Sequence, residues 1–165
     1  HYPNKIQGAA EHNAMQIDPV RDIIIVVVSA FNALYAIDPG APGREITRLS
    51  SARDQPVISQ YAAIEYAPSL DQLVYYSAHN GPQIYSITAP AGFGWANLTS
   101  GDWTWRKILN ADNSLDPITD AKSISSYGVN KSHTFGPFRV ATYGRADLAI
   151  LVRHSDTPVY AMRLN

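Results

Sequence analysis

Three groups of side chains in this 165-residue chain have types and spacings from which chemistry could be built. The first is Glu65, His133 and Arg139. An Arg is costly to bury without a counter-ion, so Glu65 is a natural partner for Arg139 if both face one channel. A carboxylate and an imidazole near each other are also the equipment of acid–base catalysis. The plainer alternative is that both long side chains reach out to solvent at a wide mouth. The second group is His79 and His154, in matching turns (Ser77-Ala-His79-Asn-Gly and Val152-Arg-His154-Ser-Asp). They could line one rim as ligand contacts or be solvated turn residues. Two imidazoles fall short of the three or four ligands a metal centre needs, so no metal is expected. The third group is Trp95, Trp103 and Trp105, all the Trp in the chain, beside Phe93. Trp103 and Trp105 flank Thr104, so on a strand they share one face. Exposed, they would stack on the C–H face of a sugar ring while nearby amides take its hydroxyls. Otherwise they pack an outer strand onto its neighbour.

Asp22, Asp71 and Asp147 also recur, each at the start of an apolar run. A ring of carboxylates could bind a cation or move protons. Asp in this position more simply satisfies hairpin backbone, and the three read as structural.

Composition narrows the field. A net charge of −1 argues against a nucleic-acid footprint or a polybasic membrane patch. With no Cys there are no disulfides, thiolate nucleophiles or Cys-ligated zinc. The content of 45% hydrophobic and 16% charged residues supports a real core. Ile23–Val28, the longest apolar run, is too short to span a bilayer. The chain opens on His-Tyr-Pro, without Met or a signal-peptide pattern, as expected of a processed or excised piece. Phosphate-cradling loops, the hydrolase nucleophile elbow and the zincin motif are missing, so neither a nucleotide nor another cofactor is expected. Asn97-Leu-Thr and Asn130-Lys-Ser match the glycosylation pattern at a level chance explains, and no compartment is indicated.

The elements that must position these residues come in three similar copies, 14–37, 63–87 and 138–162. In each, a short strand ends at a turn (Asp18-Pro19, Ala67-Pro68, Tyr143-Gly144), an Asp follows, and then an apolar strand. A second turn leads to a strand centred on Tyr35, Tyr85 or Tyr160, with Asp-to-Tyr distances of 13, 14 and 13 residues. The apolar runs Ile23–Val28, Leu73–Tyr76 and Leu148–Val152 do not alternate, which predicts strands covered on both faces. Fourth strands are expected at Glu45–Leu49 and Trp103–Leu109, the latter after a Gly-rich loop from Ala89 to Asp102. The predicted fold is all-β, a set of about three four-stranded meanders of the kind that form β-propeller blades.

The run Tyr66-x-Pro68-x-x-Asp71, then apolar strand, turn, Tyr-centred strand and later Trp, resembles a kelch-like, galactose-oxidase-type β-propeller. The stretch from His133 to Tyr143, with Ala149-Ile-Leu-Val152 and Pro158–Leu164, resembles the last blade of such proteins. The Gly-Gly pair of a kelch blade is replaced by Ser29-Ala30, Ser77-Ala78 and Arg153-His154. Without Cys, the Tyr–Cys cross-link of galactose oxidase has no counterpart.

On this reading a single domain, 1–165, holds blade 1 at about 12–50 and blade 2 at about 60–110. An insertion occupies 111–136 and blade 3 lies at 137–165. Propellers close with 4–8 blades, so three would leave two apolar faces open. A missing upstream half would cover them, as would a homodimer that makes a six-bladed ring, with residues 2–7 of the partner supplying the outer strand of blade 3. The expected function is a non-catalytic binding module whose ligand is a carbohydrate. The alternatives are a carbohydrate-active enzyme using Glu65, His133 and Arg139 in the central channel, and a structural or assembly role.

Overall fold

The computed structural model describes residues 14–41, 46–51, 54–58, 62–77, 83–92, 94–108, 138–152 and 159–164. Its architecture is all-β, with three antiparallel meanders following one another along the chain. The first sheet holds β1 (Ala14–Asp18), β2 (Ile23–Val28), β3 (Ala33–Ile37) and β4 (Ile46–Arg48). The chain then crosses to the second sheet, where β5 (Ser50–Ser51) lies parallel to the strand Asp102–Lys107. That sheet continues through β6 (Ala62–Ala67), β7 (Gln72–Ser77), β8 (Gln83–Thr88) and β9 (Asp102–Lys107). The third holds β10 (Phe138–Tyr143), β11 (Ala146–Val152) and β12 (Val159–Arg163). Residues 2–7 and 111–136, and with them the expected donated strand and insertion, lie outside the described residues.

The first strands of the three sheets are neighbours, β1 beside β6 and β6 beside β10. Two cores fill the spaces between successive sheets, and β7 explains why an unbroken apolar run was needed. Leu73 and Tyr75 point into a core shared with Ile23, Ile25 and Val27 of β2. Val74 and Tyr76 point the other way, into a core shared with Phe138, Ala149 and Leu151. Successive strand residues alternate between faces, so a strand between two cores must be apolar at every position. Tyr76 stacks on Phe138 across the second core, centroids 5.5 Å apart.

The outward faces of the first and third sheets are less covered. Met15 and Ile17, on the face of β1 turned away from the first core, are 68% and 57% exposed. On β10 and β12, Tyr143 and Val159 are 81% and 63% exposed, and Leu148 and Ile150 of β11 are only half-buried.

Two local features differ from the sequence expectation. The expected strand Glu45–Leu49 divides: Ile46–Arg48 pairs with β3, Leu49 enters the core, and Ser50 joins β9. The expected loop Ala89–Asp102 contains a short helix, α1 (Trp95–Ser100). Six residues are too few to show a helical period. Leu98 anchors α1 in the core, and the indole Nε1 of Trp103 donates to the Leu98 carbonyl at 2.9 Å.

Candidate functional site

The neighbouring strands β6 and β10 bring together two of the three residues expected to share a channel. Arg139 on β10 donates through Nη1 to Oε1 of Glu65 on β6 at 2.5 Å. The Glu65 side chain is 14% exposed and that of Arg139 is 66% exposed, so the carboxylate is held while the guanidinium also meets solvent. Such a pair adds little stability, roughly 0–1 kcal/mol. Its effect is to fix an Arg that still presents N–H groups outward. His133, His79 and His154 lie outside the described residues. Among the described residues no group of three His, Asp or Glu is gathered as a metal site would require. No helix among them is long and apolar enough to cross a membrane.

The stacking platform expected of the aromatic segment is not built from its two strand indoles. Trp103 and Trp105 do share a face of β9, but it is the core face, and they are 0% and 2% exposed. The ring of Trp105 meets Tyr75 and Tyr85 edge-on, with centroids 5.3 Å and 6.2 Å away. Packing between the sheets has claimed both, while Trp95 on α1 is partly buried against the same core.

The recurring Asp residues hold two different posts. Asp22 and Asp71 close four-residue turns in left-handed backbone, with φ of 51° and 49°. Asp tolerates that conformation better than most side chains, which accounts for its recurrence there. The third turn is instead Gly144-Arg145, with Gly144 at φ 64°, and Asp147 sits inside β11, fully buried.

These turns are laced together at one end of the sheets. Asp18 accepts the backbone N–H groups of Val20 and Arg21, both at 3.1 Å, which folds the first turn. Arg21 reaches Asp18 at 2.9 Å and grips Asp71 of the next turn with two bonds, at 2.8 Å and 2.7 Å. Tyr66 donates to the same Asp71 at 2.8 Å. One sheet on, Asp147 accepts from Ser69 N at 2.8 Å, Ser69 Oγ at 2.6 Å and Thr142 Oγ1 at 2.6 Å.

The electrostatics follow from these bonds. The Arg21 bonds hold the Asp71 carboxyl below the usual range, outweighing partial burial. Burial alone would raise Asp147, but the donors from Ser69, Thr142 and the Leu70 backbone more than offset it and hold it low. Burial, with the bond to Asp71, pushes the Tyr66 phenol up to about 12. Arg21 is held firmly protonated, chiefly by Asp71. The sequence flagged Asp71 and Asp147 but missed Asp18, Arg21 and Ser69, whose partners are up to 78 residues away. The lacing is a structural clasp: its carboxylates and both terminal nitrogens of Arg21 are paired within the protein, while the buried Arg21 Nε makes no hydrogen bond. The Arg139–Glu65 pair differs in having a largely exposed guanidinium.

No known protein family matches the chain, and neither a curated protein nor a solved structure matches it.

Proposed function

We propose that the chain is a non-catalytic binding module of three propeller blades, with a saccharide as its ligand, and that a second copy completes a six-bladed ring. One observation carries this reading. The three meanders follow in order with their first strands side by side, two interior faces form cores, and the two terminal faces expose Met15, Ile17, Tyr143 and Val159. Blades in a ring are packed in this way, and an exposed apolar face at each end suits a partner presenting the same pair of faces. The Arg139–Glu65 pair then lies on the strands that line the channel, where a propeller builds its site. Binding is favoured over hydrolysis by the supply of carboxylates. Glycoside hydrolysis ordinarily uses two. Among the described residues of β1, β6 and β10 the carboxylates are Glu65 and Asp18, and Asp18 is committed to its turn and to Arg21.

Light scattering of the purified chain tests the assembly. The expected mass is twice 18.1 kDa, falling to one chain when Met15→Glu and Val159→Lys are combined. A folded wild-type monomer at all concentrations would sink the two-copy ring. A glycan array read with the same preparation tests the ligand class: binding that Arg139→Ala abolishes supports the channel site, and no binding to any saccharide overturns the reading.

A further inference from the structure

The crossover between the first two sheets leaves a cleft of about 460 Å³ beside α1. Its walls carry Asn32, Arg48, Ser50, Gln55 and Thr99, so they are mainly polar although buried apolar strands lie behind them. The size falls within the range of small-molecule sites, roughly 300–1,000 Å³.

Its polar groups are held in place. Asn32 sits in left-handed backbone at φ 47°. Its Oδ1 accepts from Ile58 N and its backbone carbonyl from Gln55 Nε2, both at 2.7 Å. These bonds fix the loop 54–58 against the first sheet and leave Asn32 Nδ2 and Gln55 Oε1 as the remaining ends of the two amides. Thr99 Oγ1 donates to the Trp95 carbonyl at 2.8 Å, and Ser50 Oγ donates to Asp102, so each hydroxyl oxygen keeps lone pairs for another donor. Arg48, at the end of β4, is the charged group of the lining and is exposed.

We infer that this cleft binds an acidic sugar of the hexuronate type. The planar fork of a guanidinium takes a carboxylate through two parallel bonds. The rest of the wall offers a donor (Asn32 Nδ2) and acceptors (Gln55 Oε1, Ser50 Oγ, Thr99 Oγ1), and a sugar hydroxyl uses both. The described lining has no aromatic ring to stack on a neutral pyranose, so the carboxylate must supply the anchor. The inference rests on the saccharide-binding reading but not on the two-copy ring, and it places a ligand site away from Glu65 and Arg139.

Calorimetric titration of the full chain with galacturonate, galactose and inorganic phosphate, at low and at moderate salt, tests it. Galacturonate should bind, more weakly as salt rises, and galactose roughly tenfold or more worse, the loss expected when a charge-assisted bond is absent. Arg48→Ala should abolish the preference for the acid and Arg48→Lys should retain part of it; circular dichroism verifies that each variant folds. Equal binding of phosphate would reduce the cleft to a general anion contact and overturn the assignment. So would galactose binding that is indifferent to Arg48, which would leave the saccharide module standing. Absence of binding to either sugar would overturn the cleft assignment, and the saccharide module falls with it only if the glycan array is blank as well.

Discussion

The guanidinium of Arg21 grips both carboxylate oxygens of Asp71, fifty residues away, at 2.8 Å and 2.7 Å. It ties the first turn of one sheet to the first turn of the next. The Arg21 side chain is 9% exposed and also contacts Asp18, whose side chain is 2% exposed, while Asp71 is about half exposed. Removing Arg21 therefore strands a buried acid. Arg21→Ala should cost about 3 kcal/mol, near the lower end for breaking a buried pair. Asp71→Asn, on the wetter side, should cost about 1 kcal/mol. Urea unfolding of the two variants measures the ranking, and equal losses would contradict the asymmetry.

The same clasp sets the pH dependence. Asp71 and Asp147 are both held below their ordinary values in the fold. Their contribution is present above the unfolded carboxyl value near 4 and is lost as pH falls through the lower folded values. The melting temperature should drop steeply below about pH 4, and Asp147→Asn should flatten that limb. Tyr66 acts at the other end. Raised to about 12, it contributes fully below its unfolded value near 10 and loses that contribution as pH climbs toward 12. Tyr66→Phe should remove that part of the alkaline loss, as read by melting curves between pH 9 and about 11.5.

Much of the fold was legible because apolar strands between two cores cannot hide: Ile23–Val28 and Leu73–Tyr76 show no polar alternation, and the structure places each against a core or under cover on both faces. The Glu65–Arg139 pair was legible for a related reason, since a lone Arg on an inner strand needs a nearby acid. The clasp was not. Arg21, Ser69 and Asp147 act across sheets, and nothing local in Asp-Pro-Val-Arg-Asp separates an Arg facing water from one gripping the next turn. The indoles of Trp103 and Trp105 were ambiguous in principle, because alternation fixes which residues share a face and leaves open whether that face is wet.

Asn32 joins two requirements that substitution can separate. Its left-handed backbone suits Gly, while its side chain tethers Ile58 N. Asn32→Gly should lose the hydrogen bond alone, about 1 kcal/mol. Asn32→Ala should add the left-handed penalty of roughly 1 kcal/mol more. Thermal melts should rank wild type above Gly and Gly above Ala; the reverse order for Gly and Ala would show that the conformation is not enforced.

Gly101, between α1 and β9, has ordinary backbone but no room. A Cβ there would lie 2.5 Å and 2.9 Å from two carbons of the Pro90 ring, which cannot swing aside. Gly101→Ala should force α1 away from β9 and cost about 2 kcal/mol by overpacking. Pro90→Ala leaves the Cβ in place and relieves only part of the clash, so the double variant should regain part of the loss and no more.

The two core indoles should respond differently to the same change. Trp103 donates its Nε1 to the Leu98 carbonyl, whereas the buried Nε1 of Trp105 has no hydrogen-bond partner. Trp103→Phe removes packing and also strands a carbonyl of α1, for a loss of about 2–3 kcal/mol. Trp105→Phe relieves an unsatisfied N–H while keeping an aromatic ring against Tyr75 and Tyr85, and should cost about 1 kcal/mol or less. Urea unfolding of both variants measures the difference. Iodide quenching of a Trp95→Phe protein checks the burial independently, because it reads Trp103 and Trp105 alone. Weak quenching, unchanged by added sugar, is the outcome that core residues require, and strong quenching would put these indoles back on the surface as candidate sugar contacts.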